Sequence, residues 1–169
     1  DNAHHDVVGR IGTITTTGDN ATISIGANND INLQGAIIEA QGEKSSVTMA
    51  AGHDIKFTTQ SLSADKDMTE DSKNYLRTNR QTELGTTVSA TGDISMQAGN
   101  DISMRSATVY SDTGAVGMVA NNDVTIENGT SYSRDEYGIS YKESGLLSSK
   151  KTTIRTDSEH TDVLSSTIS

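Results

Sequence analysis

One phrase limits what this chain can fold into: a small residue, a turn pair, an Asp, then an apolar–polar–apolar triplet. It reads Ala27-Asn28-Asn29-Asp30-Ile31-Asn32-Leu33, Ala51-Gly52-His53-Asp54-Ile55-Lys56-Phe57, Ala98-Gly99-Asn100-Asp101-Ile102-Ser103-Met104 and Ala120-Asn121-Asn122-Asp123-Val124-Thr125-Ile126. Gly and Asn tolerate φ > 0 and Asp holds a turn through its own side chain, so the first half is a tight turn. The second half alternates with period two, so it is a short strand. Four copies in 169 residues make this a repeat protein, and repeats outrank other signals when a fold is read.

A second triplet precedes each phrase: Ile23-Ser24-Ile25, Val47-Thr48-Met49, Ile94-Ser95-Met96 and Val116-Gly117-Met118. The step from each to its phrase is eight residues (Ile23 to Ile31, Val47 to Ile55, Ile94 to Ile102, Val116 to Val124). A third apolar point follows seven further on at Ile38, Leu62 and Val109. Three short strands per coil, separated by turns, are the pattern of a β-helix. Coils recur at 24 residues (Asp30 to Asp54) and 22 (Asp101 to Asp123). Such periods belong to solenoids, whose units bury an apolar face only against their neighbours. A hydrophobic content of 32%, with one Phe and no Trp, suits so narrow a core. The absence of Pro leaves every backbone N–H available to a ladder.

Asp54 to Asp101 is 47 residues, about one coil too long. The excess is the polar segment 63–87, and a second such segment covers 131–168. Both open alike, with Ser61-Leu62-Ser63-Ala64-Asp65 and Ser131-Tyr132-Ser133-Arg134-Asp135. They close with Thr87-Val88-Ser89 and Thr167-Ile168-Ser169, which Thr13-Ile14-Thr15 matches. The larger unit is a plain coil followed by a coil with an excursion, with a period of 71 from Asp30 to Asp101. The expected architecture is all-β: one β-helix segment over 1–169, with coils at about 14–62 and 88–130, belonging to a longer array. Tyr137-Gly138-Ile139-Ser140-Tyr141 alternates like a strand, Glu143-Ser144-Gly145 signals a turn, and Thr152-Thr153-Ile154-Arg155-Thr156 reads as the return. The second excursion is therefore expected to be a two-stranded, hairpin-like arm. Asp67 to Leu84 has no Gly and is compatible with one or two helical turns.

Stacked coils place equivalent residues about 4.8 Å apart, so Asp30 should neighbour Asp54 and Asp101 should neighbour Asp123. Two carboxylates at that distance repel by roughly 0.9 kcal/mol in water. The column is expected to be structural, each Asp accepting hydrogen bonds from turn N–H groups. Calcium-binding solenoids use paired glycines that this phrase lacks, so no metal is expected. His4, His5, His53 and His160 have no ligand partner at a metal spacing, and His4-His5 reads as a polar loop.

The net charge of −10 disfavours nucleic acid as a partner. The excursions hold nine of the 13 basic residues and Tyr75, Tyr132, Tyr137 and Tyr141, four of the five tyrosines. Mixed charge with Tyr is the composition of a contact surface. No phosphate loop, dinucleotide fingerprint or nucleophile elbow occurs. Many β-helical polysaccharide lyases and hydrolases carry carboxylates and an Arg on one outer face. Arg105 and the aspartates could be cast that way, but regular coils with Ser, Thr and Asn outside supply no cluster. A non-enzymatic chain without cofactor is expected.

The phrases Ala98-Gly99-Asn100-Asp101-Ile102-Ser103-Met104 and Ala51-Gly52-His53-Asp54-Ile55-Lys56-Phe57 resemble the haemagglutinin repeats of bacterial filamentous haemagglutinins. The nearest likeness is to toxin-delivery filaments of contact-dependent growth inhibition. The segment Tyr137-Gly138-Ile139-Ser140-Tyr141-Lys142, with Ser144 to Lys151, is similar to the second repeat region of those filaments. The resemblance implies a right-handed parallel β-helix on the bacterial surface, exported by a two-partner-secretion transporter in the outer membrane. It implies a role in moving a toxin across a target cell's outer membrane, with an adhesin stalk binding a receptor or glycan as the alternative. Exposed alternating apolar side chains in the arms, such as Ile139 or Ile154, would favour membrane entry. A purely polar arm surface would favour adhesion.

Overall fold

A computed structural model describes residues 2–5, 11–145 and 148–169. The chain opens with β1 (Asn2–His5). The first coil is β2 (Thr13–Thr16), β3 (Thr22–Ala27) and β4 (Ile31–Gln34), and the second is β5 (Ile37–Ala40), β6 (Ser46–Ala51) and β7 (Ile55–Thr58). The chain then leaves the coil through β8 (Gln60–Asp71) and β9 (Asn74–Leu84). The third coil is β10 (Thr87–Ala90), β11 (Ile94–Ala98) and β12 (Ile102–Arg105). The fourth is β13 (Thr108–Ser111), β14 (Val116–Ala120) and β15 (Val124–Glu127). A second departure, β16 (Gly129–Ser144) and β17 (Ser149–Leu164), returns at β18 (Thr167–Ile168).

Like strands stack into three sheets, β2-β5-β10-β13-β18, β3-β6-β11-β14 and β4-β7-β12-β15, with every pairing parallel. Each coil adds one strand to each sheet, which is the topology of a parallel β-helix. Register follows the repeat without slip: Ile31, Ile55, Ile102 and Val124 are successive partners, as are Ile23, Val47, Ile94 and Val116. A one-residue slip would turn every apolar side chain outward, so the inward row pins the register. Burial is complete where a coil lies on both sides: Val47, Met49, Ile55, Ile94, Met96 and Ile102 are all within 1% of full burial.

The third sheet position differs from the expected one. Ile38 partners Val88, and Val88 partners Val109, whereas Leu62 lies in β8. The chain leaves the coil just after β7, so the residue at the right spacing is carried off and Val88 fills its place on return.

The chain divides into two compact units by contact. The solenoid strands make one. The other is formed by β1, Ser61–Thr82 and Thr130–Asp162, whose strands run in the order β1-β8-β9-β16-β17. Asn2 to His5 pair antiparallel with Asp67 to Ala64, so His4-His5 lies in a strand and not a polar loop. β9 and β16 pair antiparallel from Ser131↔Thr82 to Gly138↔Tyr75. Residues 67–84 form no helix. β8 and β9 are linked by two residues, a connection only an antiparallel hairpin allows. Asp71 makes the turn without Gly: its Oδ1 accepts from the N–H groups of Lys73 (2.6 Å) and Asn74 (3.0 Å). The second excursion is the two-stranded arm read from the sequence, and Leu146 and Leu147 at its turn lie outside the described residues.

Candidate functional surfaces

Asp30, Asp54, Asp101 and Asp123 precede the four strands of one sheet and stack as those strands do. The first three carboxylates face the next coil. Asp30 Oδ1 accepts the N–H of Asp54 (3.1 Å), Asp54 Oδ1 that of Asp101 (3.2 Å) and Asp101 Oδ1 that of Asp123 (3.1 Å). The donor is thus the next coil's amide and not the residue's own turn. Side-chain amides add to it, Asn100 on Asp54 and Asn122 on Asp101, both at 2.9 Å. Lys56 Nζ lies 2.6 Å from Asp54 Oδ2. Lys56 first, then Asn100, hold the buried Asp54 carboxyl well below the usual carboxylate range. A depressed value means that this charge-assisted contact is present above the ordinary carboxylate range and is lost only in strong acid.

His53 Nδ1 lies 3.2 Å from both Asp30 Oδ1 and Asp54 Oδ2, so three metal-capable groups converge here. Asp54 Oδ2 accepts from Lys56, and Asp30 Oδ1 and Asp54 Oδ1 accept the amides of the next coil, so the arrangement works as a coil-to-coil tie. A second tie of this kind was not singled out from the sequence. Asp19 Oδ1 accepts the N–H of Glu43 (3.0 Å), and Asp93 Oδ1 that of Ala115 (2.9 Å). Its signal is the recurring Thr17-Gly18-Asp19 and Thr91-Gly92-Asp93.

Arg105 does not join the aspartates. It ends β12, where Nε and Nη2 reach the two Glu83 oxygens at 3.0 Å each, and Nη1 approaches Glu127 at 3.5 Å. Thr59 Oγ1 donates to Glu83 at 3.1 Å. The bidentate Glu83 contact raises the guanidinium above its ordinary value. With Thr58, Ser103 and Thr125 these groups line an open depression of about 370 Å³. It is a clamp at the point where the chain re-enters the coil.

The two faces of the five-stranded sheet differ. One is charged. Arg134 reaches Asp157 through Nε (3.1 Å) and Nη2 (2.8 Å), and Glu159 lies at 3.2 Å. Arg77 lies 3.4 Å from Asp67 and 4.9 Å from the centre of the Tyr75 ring, a cation–π contact. Asn79 bonds Asp65. Tyr132, Arg134, Arg77 and His4 line a depression of about 510 Å³ on this face.

The other face is apolar towards the turns. Leu76 is the cross-strand partner of Tyr137, and Met68, Leu76 and Ile139 line one shallow depression, whose edge Tyr75 also reaches. The Gly145 N–H to Ser148 bond and the Ser140–Thr153 contact set a register in which Ile139 faces Ile154. Met68, Leu76, Tyr137, Ile139, Tyr141 and Ile154 are each 37–49% exposed. The four tyrosines expected to form one contact surface therefore divide: Tyr75 and Tyr132 on the charged face, Tyr137 and Tyr141 on the apolar one.

A family model for the haemagglutinin repeat matches residues 4–128 and, overlapping, 68–153. The chain belongs to the haemagglutinin repeat family. It is a structural repeat of a secreted filament, and two overlapping matches are what an internal period gives. Searches among curated proteins and solved structures give no match.

In this haemagglutinin repeat the side chains with chemical character divide by location. The solenoid keeps its Asp column and the Arg105 clamp occupied internally, by groups of the next coil and, at Asp54, by Lys56 of its own coil. The sheet of excursions exposes its unmatched groups. Met68 and Leu76 lie in the segment whose sequence is compatible with one or two helical turns. No apolar alternation marks them, since the residues two away are Lys66, Glu70, Asn74 and Thr78.

Proposed function

We propose that this repeat assists toxin delivery into target bacteria, as part of a filament exported through an outer-membrane transporter. Its partner is the target cell's outer membrane. The supporting observation is the apolar stripe of Leu76, Tyr137, Ile139 and Ile154 on an otherwise acidic protein, half exposed on regular strands. An apolar face of this kind is costly in water and marks a protein or membrane contact. The solenoid supplies a stiff support and performs no catalysis.

The adhesin reading draws on the opposite face, where Tyr75 and Tyr132 lie among paired Arg and Asp side chains. The two readings separate in the full-length filament carrying Ile139→Ser with Ile154→Ser. Surface display and attachment to target cells should be unchanged, while target killing in a competition assay falls at least tenfold. Loss of attachment with undiminished killing per attached cell would favour the adhesin.

A further inference from the structure

The turns of the two excursions bring lysines together. The register of β16 and β17 set by the Gly145–Ser148 and Ser140–Thr153 contacts places Lys142 opposite Lys151. Asn74 Oδ1 accepts the Ser140 N–H at 2.8 Å, which brings its neighbour Lys73 to the same end. The nearness of Lys73 holds the Lys151 ammonium below the ordinary lysine range, against a smaller opposing pull from Asp71. Among the described residues, no carboxylate forms an ion pair with any of the three. Glu143 adjoins Lys142 but, one residue on along the strand, points to the opposite face; Asp71, two residues from Lys73, has its oxygens taken by the N–H groups of Lys73 and Asn74 and by the Asn74 amide. Like charges placed across a strand pair repel, and here they do so in a chain of net charge −10, where carboxylates are plentiful.

We propose that this end of the sheet binds the phosphate groups of anionic lipid, with Lys73, Lys142 and Lys151 on the headgroups and the Ile139–Tyr141–Ile154 face entering the apolar layer. The proposal rests on the membrane reading above and names the lipid. Lys suits a phosphate as a mobile point charge on an apolar stem that reaches along a membrane surface. Tyr side chains belong at the boundary between headgroup and hydrocarbon. The acidic remainder of the chain repels an extended polyanion, which a localised basic end on a bilayer does not have to face.

The test is flotation of the chain with vesicles of phosphatidylcholine alone and with 30% phosphatidylglycerol, each at two salt concentrations. Binding to the anionic vesicles should be at least tenfold tighter and should weaken with salt. Lys73→Gln with Lys142→Gln and Lys151→Gln should lose that preference, a drop on the order of 100-fold, and keep the weak neutral binding. Ile139→Ser with Ile154→Ser should lose both. These positions are exposed, and an unchanged β-sheet circular dichroism spectrum confirms folding. Equal binding of the native chain to both vesicles, or a triple variant that keeps the preference, would overturn the proposal. If the vesicle results stand but the triple variant in the full filament still delivers toxin, the delivery reading fails and the lipid site remains.

Discussion

Met104→Ala should lower the free energy of unfolding by about 2–5 kcal/mol, while Ile126→Ala, one coil further on, should cost about 1 kcal/mol. The two side chains are partners in the same inward row, with Leu33 and Phe57 preceding them. They differ in what covers them. Met104 is 2% exposed because coils lie on both sides, whereas Ile126 is 46% exposed. In a solenoid a side chain is buried by its neighbouring coils, so its cost of removal depends on its coil and not on its residue type. Urea unfolding at constant slope measures both. Equal costs would mean that the apolar rows do not bury one another.

Gly99→Ala is the second large effect, at about 1–3 kcal/mol, or a fall of several degrees in Tm. The cause is close approach. A Cβ at Gly99 would overlap the Gly52 carbonyl directly, and one at Gly52 would overlap that of Asn28. The backbone cannot yield there without breaking ladder bonds, Gly99 N–H to Ala51 O at 3.1 Å and Asn100 N–H to His53 O at 2.8 Å. Gly117→Ala is the control. Its nearest neighbour would be the Ile94 carbonyl at 4.0 Å, so it should be neutral or raise stability by up to about 1 kcal/mol. Similar melting points for the two variants would remove the stacked-turn explanation.

These glycines show where the sequence was legible and where it was not. The repeated phrase identified the turns, but φ > 0 is not why Gly is there. Among the described residues φ is positive at Gly35, Asn20, Lys44 and Ser106, and at none of the Asp phrases. The need comes from the coil beneath, and a sequence does not carry distances between coils. The same holds for the Asp column: its stacking follows from the period, whereas the choice of the next coil's N–H over its own depends on three-dimensional separation. Leu62 sits at the correct spacing, yet a chain leaving the coil takes it along. Asp71 and Asn74 build a turn without Gly, which is why 67–84 is compatible with helical turns when only the sequence is read. The division of the tyrosines was partly open to reading: Tyr132 and Tyr137 are an odd number apart, so one strand must send them to opposite faces.

Like phrases lie side by side in parallel and in register. Thr48 and Ser95 are such partners on adjacent coils, with their strands about 4.8 Å apart, within the Cα range a disulfide accepts. The most direct test is oxidation of Thr48→Cys with Ser95→Cys, compared with Thr48→Cys with Ser103→Cys, which lie in different sheets. A rapid intramolecular disulfide in the first pair and none in the second is the predicted result. Closure of the second pair, or failure of the first in a folded protein, would contradict the stack.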